Sequence, residues 1–386
     1  MPHALSFSMN WPGEALFGPG QCDGLGTLLA GRGQRRALIV TDSGIQAAGL
    51  LARVETALAK GGVASTAYTG VEPNPTTLNV AQAHEIWQNG AFDALIALGG
   101  GSAIDTAKGV MAQIATGLDV EQALGTDIDA GTGPTPPFYA LPTTSGTGSE
   151  SSLGAVLKST ERKFVIRGRR LQPGKVILDP ELTLSLPARM TALTGFDAYC
   201  HAIGAFANNQ INPVADELAL HSMRLLIDWL PRAVADGADI EARSAVMTAS
   251  WLAGICIGQK GVDGIHGLCT PVESRVNATH GEVLGIIMPH ILAFNIETDA
   301  ARYALAARRL GLAFDDSTDA AAADAMVTAS LALRDLTRGA ATLSDLGLSV
   351  TSVPELIEMA LLSQATERNG RPLQHDQIRK IYEKMM

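Results

Sequence analysis

The sequence has few aromatic residues, few cysteines and no excess of positive charge. Aromatic side chains make up 5% of the 386 residues, and the formal net charge of -10 leaves no basic face of the kind that binds nucleic acid. The cysteines are far apart and form no CxxC pair, which argues against a zinc ribbon and a disulfide framework. No apolar run reaches about 20 residues, and the opening MPHALSFSMNWPG has no positively charged leader. We therefore expect a cytoplasmic protein that binds neither membranes nor nucleic acid.

The length and composition predict a globular protein with two domains. A chain of 386 residues exceeds the usual size of a single hydrophobic core. The hydrophobic fraction of 46%, the charged fraction of 18% and the 40 glycines are typical of a compact fold with many tight turns.

Short aliphatic runs alternate with amphipathic segments between residues 36 and 141. The runs RALIVTD, ASTAY and FDALIALGGG are separated by IQAAGLLARVETALAKGG and TTLNVAQAHEIWQNG, which is a β-α-β-α-β pattern. Aliphatic runs without polar alternation indicate strands buried on both faces, and hence a parallel sheet covered by helices. We predict an α/β dinucleotide-binding domain over residues 1–182.

Helical patterns dominate the remainder of the chain. Segments such as ADELALHSMRLLIDWLPRAVADG and ARYALAARRLGLAF carry apolar residues at helical spacing, and strand-like runs nearly vanish after the DPEL sequence at 179–182. We predict an all-α domain over residues 183–386.

Two glycine-rich segments follow apolar runs in the first domain. The first is GGGS at 99–102, which opens a helical pattern, and the second is LPTTSGTGSES at 141–151. Backbone amides at a helix start attract a phosphate, and glycine permits its close approach, although glycine at such a place also serves a simple turn. Asp42 ends a predicted strand, where a carboxylate can bind an adenosine ribose and repel a 2′-phosphate, which favours NAD over NADP; a helix cap explains it equally well.

One carboxylate and three imidazoles are placed as metal ligands would be. Asp197 and His201 are four residues apart in a predicted helix, so both side chains emerge on one face. His266 and His280, each followed by a glycine, bracket a polar loop. Such a donor set suits Fe²⁺ or Zn²⁺, although an aspartate and a histidine at this spacing are also common as a surface ion pair.

Together these motifs resemble the iron-containing, group III alcohol dehydrogenase family, and their order along the chain is the family's. The shared segments are FGPG at 17–20, VTD at 40–42, PNPT at 73–76, GGGSAIDTAKG, PTTSGTGSE, DPEL, TGFDAYCHAI, the 266–280 segment, MPHILAFN at 288–295 and NGRPL near residue 369. The resemblance implies an N-terminal NAD-binding α/β domain and a C-terminal helical metal-binding domain, an architecture like that of dehydroquinate synthase.

The same resemblance assigns site residues position by position. It implies that the metal, most simply Fe²⁺ with Zn²⁺ as the alternative, is held by Asp197, His201, His266 and His280. It also implies that the cofactor contacts are Asp42, Asn74, Gly100, Gly101, Ser102, Asp105, Thr143, Thr144, Ser149 and Lys163.

The chain departs from the family pattern four residues after His266. The family commonly reads HPLG four residues beyond it, with a histidine thought to relay protons, where this chain has Thr270-Pro271-Val272-Glu273. A threonine hydroxyl can pass a proton along a hydrogen-bonded chain but does not titrate near neutrality, so we count Thr270 among the candidate catalytic residues.

The predicted reaction is hydride transfer between a nicotinamide cofactor and a small alcohol/aldehyde pair, in a homo-oligomer, expected to be a dimer. Cations near the motifs could receive an acidic substrate tail, which favours a semialdehyde or a phosphonoacetaldehyde-like compound over a plain alkanal; they are Arg167, Arg169, Arg170, Lys260 and Arg275. For the three clustered arginines a solvated turn is the simpler interpretation. Two alternatives stay open: a cyclase or lyase like dehydroquinate synthase, and an NAD-binding protein with altered catalysis.

Overall fold

The computed structural model describes residues 6–160 and 163–386, which form two compact units. Trp11–Leu186 form the first, called here the sheet unit, and Pro187–Met386 with residues 6–10 form the second, called the helical unit. This division places a parallel-sheet fold before a helical one, and the predicted fold class is confirmed.

The sheet unit is built on six parallel strands in the order β1-β8-β5-β4-β2-β3, and strands β6 and β7 pair separately as an antiparallel hairpin. The strands are β1 (Glu14–Phe17), β2 (Arg36–Val40), β3 (Ala64–Tyr68), β4 (Ala94–Gly99), β5 (Phe138–Pro142), β6 (Gly154–Lys158), β7 (Lys163–Arg167) and β8 (Lys175–Leu178). All six residues of β4 are buried, as expected for a central parallel strand. The carboxyl ends of β2, β4 and β5 therefore lie along one edge of the sheet, where parallel sheets bind ligands.

Five α-helices belong to the described part of the sheet unit. They are α1 (Leu25–Gly31), α2 (Ser43–Ala47), α3 (Leu50–Lys60), α4 (Thr77–Asn89) and α5 (Gly101–Thr116). The single helix predicted after β2 is divided into α2 and α3 because Gly49 adopts a left-handed conformation, with φ of 78°. Thr76 and Asn79 form a capping box that begins α4.

Nine α-helices make up the described helical unit. They are α6 (Ala188–Ala207), α7 (Pro213–Ala235), α8 (Ile240–Lys260), α9 (Gly264–Glu273), α10 (His280–Arg309), α11 (Asp319–Asp335), α12 (Val353–Leu361), α13 (Gln364–Arg368) and α14 (His375–Met385). Helix α10 is kinked at Asp299, whose φ of -139° and ψ of 56° are not helical. Sixteen of the twenty residues of α6 are buried, so this helix forms the centre of the unit.

Helix α10 is long and apolar enough to cross a membrane by length and composition alone, and within the described residues only this helix meets that test. Half of the most apolar 18-residue stretch of this helix is buried inside the protein. A core helix of a globular protein has the same properties, so one such helix is weak evidence for a membrane span.

All four cysteines lie in buried positions, Cys22 in the sheet unit and Cys200, Cys256 and Cys269 in the helical unit. Burial raises the pKa of each thiol, that of Cys256 and of Cys269 to about 12. The thiols are therefore protonated at neutral pH.

Candidate functional site

Three helices of the helical unit bring the four predicted metal ligands together. Asp197 and His201 lie one turn apart on α6, His266 lies in the first turn of α9, and His280 is the first residue of α10. The Nε2 atoms of His201, His266 and His280 lie 3.6, 3.3 and 3.3 Å from the same oxygen, Oδ1 of Asp197. Residues separated by up to 83 positions thus converge on one carboxylate.

The rings of the three histidines are arranged around this carboxylate in a compact group. Those of His201 and His266 are stacked, with centroids 4.4 Å apart and planes 7° from parallel, and that of His280 is 5.5 Å from His266. Asp197, His201 and His266 are 4 to 8% exposed, whereas the side chain of His280 is 39% exposed. The group therefore opens to its surroundings on the side of His280.

Glycines permit the close approach of the helices that carry these ligands. A Cβ atom at Gly204 on α6 would lie 2.6 Å from Oδ1 of Asp263, the residue that caps α9. A Cβ atom at Gly281 on α10 would lie 2.6 Å from the carbonyl oxygen of Leu193 on α6. Any larger residue at either position would push α9 or α10 away from α6, and with it a predicted ligand.

A buried pair of asparagines ties α10 to the start of α9. The Nδ2 atom of Asn369 donates to Oδ1 of Asn295 at 2.6 Å, and Nδ2 of Asn295 donates back to Oδ1 of Asn369 at 3.2 Å. The same Oδ1 of Asn369 accepts a bond from the backbone N–H of Gly264 at 3.3 Å. The motifs at 288–295 and near 369 therefore support the backbone on which His266 lies.

The charges of the four side chains favour a bound cation. Burial opposes the ionisation of Asp197, but the adjacent His201, His280 and His266 hold the pKa of its carboxyl well below the usual range. Burial lowers the pKa of His266, so its imidazole favours the neutral form. One ionised carboxylate and three imidazoles, which are neutral at Nε2 once an ion is bound there, are suitable ligands for Fe²⁺ or Zn²⁺. The residues present fit a divalent metal.

Glu273 is a further residue of this region that the sequence analysis did not assign to the site. Its Oε1 atom lies 2.5 Å from Nδ1 of His280, on the opposite side of the imidazole from Asp197. Burial lowers the pKa of His280, but the carboxylates of Glu273 and Asp197 outweigh it and raise that pKa well above its usual value. Glu273 and His280 are seven residues apart across a loop, and the only sequence signal was a glutamate at the position where the family's HPLG segment has glycine.

Thr270 lies one helical turn beyond His266 and is exposed. Its hydroxyl donates to the carbonyl oxygen of His266 at 3.3 Å. The hydroxyl is therefore accessible, while its direct contact is with the backbone of a predicted ligand.

The cations considered for an acidic substrate tail mostly have partners within their own unit. Arg275 pairs with Glu355, and Lys260 is buried with its ammonium 2.6 Å from Asp216. Arg170 donates to the carbonyl oxygens of Gly131 and Gly133. Salt bridges and backbone contacts already engage these three side chains, so they are not preformed receptors for an anion.

The two glycine-rich segments of the sheet unit lie against each other. Gly99 ends β4, Gly100 caps α5, and the backbone N–H of Thr143 donates to the carbonyl oxygen of Gly99 at 3.1 Å. A Cβ atom at Gly101 would lie 2.7 Å from Cγ2 of Thr147, so the second segment covers the start of α5 closely. Ser102 lies in the first turn of α5 and Thr144 is next to Gly100. The N–H groups at this helix start are placed as an anion site requires.

Asp105 and Ser149 bind each other. The hydroxyl of Ser149 donates to Oδ1 of Asp105, whose Oδ2 accepts a bond from the backbone N–H of Val156 at 2.8 Å. Burial raises the pKa of Asp105, and both side chains are at most 9% exposed. Their present contacts therefore position the 143–151 segment.

A buried lysine, which the sequence analysis did not single out, completes this network. Lys108 follows Asp105 by one helical turn, and its ammonium donates to the carbonyl oxygens of Ser152 and Gly154 at 2.9 and 2.7 Å. Burial lowers its pKa to about 8, and burial likewise raises the pKa of Glu150 to about 7. In the sequence, the only indication of a contact between Asp105 and Lys108 was their i, i+3 spacing, which places both on one face of a helix.

The remaining predicted cofactor residues are Asp42, directly after β2, Asn74, in the loop after β3, and Lys163, the first residue of β7. Asp42 follows β2 and caps α2 through a bond of 2.9 Å from the backbone N–H of Ile45 to Oδ1, while Oδ2 faces Gly99. The ammonium of Lys163 donates to Oδ1 of Asn74 at 2.7 Å, and Asn74 has a positive φ of 57°. The capping role of Asp42 is thus observed, and its second oxygen points towards the glycine-rich turn.

Comparisons with known proteins agree over the whole chain. Residues 12–180 match the family model described as iron-containing alcohol dehydrogenase, and residues 191–386 match that of the C-terminal part of the Fe-containing alcohol dehydrogenase family. The chain is 33% identical over 82% of its length to the NAD-dependent methanol dehydrogenase of Bacillus methanolicus, covering 84% of that protein.

Solved structures show the same similarity. A crystal structure of 1,3-propanediol oxidoreductase superposes with a TM-score of 0.94 at 30% identity, over 99% of this chain and 100% of that one. Sulfoacetaldehyde reductase from Bifidobacterium kashiwanohense, in complex with NAD+, superposes with a TM-score of 0.89 at 28% identity over 99% of both chains.

Proposed function

The chain belongs to the iron-containing alcohol dehydrogenase family of NAD-dependent oxidoreductases, and on this premise we propose that it interconverts a short alcohol and its aldehyde at a divalent metal, most simply Fe²⁺. The observation that carries the proposal is the convergence of three imidazole Nε2 atoms on one oxygen of Asp197. We assign Asp197, His201, His266 and His280 as the metal ligands, with Zn²⁺ as the alternative ion.

We assign NAD to the edge of the sheet unit formed by the ends of β2, β4 and β5. The N–H groups at the start of α5 and the glycines at 99–101 suit a pyrophosphate, and Lys163, the first residue of β7, donates to Asn74 in the loop after β3. The free oxygen of Asp42 would bind a ribose hydroxyl and repel the 2′-phosphate of NADP. Asp105 and Ser149 act by holding the 143–151 segment in place.

The protein's own groups supply orientation and proton handling. When bound, the metal provides positive charge that polarises a substrate hydroxyl or carbonyl, and the nicotinamide accepts or delivers the hydride. Asp197 provides the fixed negative charge of the site, and together with the three imidazoles it would hold the ion. The hydroxyl of Thr270, accessible one turn beyond His266, can pass the substrate proton to water.

The substrate we propose is a short alcohol or aldehyde. The cations of the helical unit that were candidates for an acidic tail are paired with carboxylates, which favours an uncharged substrate. An acidic tail, as the name of sulfoacetaldehyde reductase suggests, would require Arg275 to leave Glu355. Initial rates of NADH oxidation with propanal, succinic semialdehyde and sulfoacetaldehyde separate the two cases. A preference for the two anions above tenfold in kcat/KM would favour the acidic tail.

We also propose that the enzyme acts as a homodimer in the cytoplasm. Light scattering on the purified holoenzyme measures the oligomeric state, and fractionation of the source cells measures the location. A monomer in solution would contradict the dimer without affecting the metal assignment.

The ligand assignment is tested with His266→Ala. Removal of one of four ligands should lower the metal content of anaerobically purified protein from about one ion per chain to below about a tenth. The affinity for NAD should stay within about threefold, because the cofactor residues belong to the sheet unit. His221→Ala, at an exposed position on α7, is the matched control and should retain its metal. Undiminished metal content in the His266 variant would remove that residue from the ligand set.

Net consumption of NADH tests the reaction class. An alcohol dehydrogenase oxidises one NADH for each aldehyde reduced, whereas a cyclase or lyase regenerates its cofactor in each cycle. Product formed without net NADH oxidation would favour that alternative.

A further inference from the structure

The imidazole of His280 lies between two carboxylates. Its Nε2 atom is 3.3 Å from Asp197, and its Nδ1 atom is 2.5 Å from Oε1 of Glu273, the last residue of α9. The side chain of Glu273 is 9% exposed, so this contact is formed largely out of water. A carboxylate can only accept, so Nδ1 of His280 is the donor.

This arrangement suits His280 to bind an ion through Nε2, on the side of Asp197. An imidazole that binds an ion in this way carries one proton, and the contact with Glu273 places that proton on Nδ1. The same contact fixes the rotation of the ring, which matters because His280 is the most exposed of the four assigned ligands. His266 differs, since among the described residues its Nδ1 atom has no hydrogen-bond partner.

The position of this carboxylate differs from the family pattern that the sequence resembles. Glu273 occupies the place of the glycine in the HPLG segment of the resembling family, and glycine has no side chain that could reach His280. The contact therefore adds an acceptor and a negative charge that the common pattern lacks.

We propose that Glu273 is a positioning residue for the metal: it fixes the tautomer and orientation of His280 and strengthens its bond to a divalent ion. This inference rests on the proposed function, because it takes His280 as a ligand. The carboxylate, the imidazole and the ion would form a series in which the carboxylate raises the basicity of the imidazole. Removal of such a partner costs about 10- to 100-fold in metal affinity.

Cys269 does not take this role. Its sulfur lies 3.5 Å from Nδ1 of His280, but burial raises the pKa of the thiol to about 12, so it is a weak neutral partner. A separate ion between Glu273 and His280 is also disfavoured, because 2.5 Å between oxygen and nitrogen is a direct hydrogen bond and leaves no room for a cation.

The test compares Glu273→Gln with Glu282→Gln. Both variants remove one negative charge near the start of α10, but Glu282 caps this helix and pairs with Arg189 without contacting an imidazole. Glutamine preserves that cap. Dissociation constants for Zn²⁺ and Co²⁺ are measured by competition with a chromophoric chelator, starting from metal-free protein. The absorption bands of bound Co²⁺ report the ligand geometry, and NAD binding serves as the control for folding.

We expect Glu273→Gln to weaken both metals about 10- to 100-fold and to shift the Co²⁺ bands, with NAD affinity unchanged. Glu282→Gln should stay within about threefold of the unmodified protein. Glu273→Asp keeps the charge but retracts the carboxylate, so it should give an intermediate affinity; it replaces the glutamine variant if that one fails to fold.

Two outcomes would overturn the proposal, and they are distinguishable. If the unmodified protein binds metal but Glu273→Gln binds it within about threefold as tightly, with the same Co²⁺ spectrum, Glu273 has no positioning role and the ligand assignment stands. If the unmodified protein binds neither ion, both the proposed function and this inference fail.

Discussion

Replacing Asp263 by asparagine should make the helical unit more stable above neutral pH. Asp263 caps α9 by accepting a bond of 3.1 Å from the backbone N–H of Ile265, and it is 1% exposed. Burial raises the pKa of its carboxyl from 3.8 to about 7. Asparagine caps a helix about as well as aspartate and cannot ionise, so Asp263→Asn isolates the cost of the charge.

The sign of the effect follows from the two pKa values. Between about pH 4 and pH 7 the carboxyl ionises in the unfolded chain but stays protonated in the folded protein, so the free energy of unfolding falls as the pH rises. The stability that the raised pKa provides is complete below about pH 4 and is lost above about pH 7, and the total loss is about 4 kcal/mol. The advantage of Asp263→Asn over the unmodified protein should therefore grow by about 3 kcal/mol between pH 5 and pH 8.

Urea unfolding of metal-free protein at pH 5, 6, 7 and 8, followed by far-ultraviolet circular dichroism, measures this difference. The matched control is Asp239→Asn, which changes the cap of α8 at a carboxylate that is 18% exposed and pairs with Arg232. Bonds from the backbone and from Arg232 lower the pKa of Asp239 from 3.8, so the stability that this carboxylate contributes changes only below about pH 4. The difference between Asp239→Asn and the unmodified protein should therefore be constant from about pH 5 to pH 8. A stability difference between Asp263→Asn and the unmodified protein that is constant from pH 5 to pH 8 would refute the reasoning.

Two further changes test the packing of the sheet unit. Lys108→Met removes a fully buried ammonium from the carbonyl oxygens of Ser152 and Gly154 and leaves Asp105 without its cation, so the free energy of unfolding should fall by about 3 to 5 kcal/mol; an unchanged melting temperature would contradict this. Gly26→Ala places a Cβ atom 2.1 Å from the carbonyl oxygen of Ala57 and should cost about 1 to 3 kcal/mol or more in chemical unfolding. Gly31→Ala, at the end of the same helix with open space around it, should be neutral or stabilising, and equal losses in the two variants would contradict the contact.

The sequence predicted the main architecture because its apolar periodicity is strong. The runs that form β2 and β4 are aliphatic and uninterrupted, and the helices that follow the strands are amphipathic. It did not predict the hairpin of β6 and β7, whose strands have five residues each. The predicted single helix over α2 and α3 was also wrong, because a glycine inside an amphipathic pattern is compatible with a continuous helix.

The metal-ligand assignment came from spacing and family motifs, while the supporting contacts required the structure. Asp197 and His201 share a helix face, which spacing can predict. Asn295 and Asn369 are 74 residues apart, and the contact between Glu273 and His280 crosses a loop, so periodicity gives no information about either. The burial of Lys108 also escaped prediction, because lysine in an amphipathic helix is usually at the surface.

The four buried cysteines allow local unfolding of the protein to be measured by thiol labelling. An aromatic disulfide reagent reacts only with a thiolate that it can reach, so the native protein should stay unlabelled while any molecule that opens is marked. Cys22 records the sheet unit, and the other three record the helical unit. Mass spectrometry of briefly labelled protein would thus reveal which half loosens first, without adding a probe to the chain.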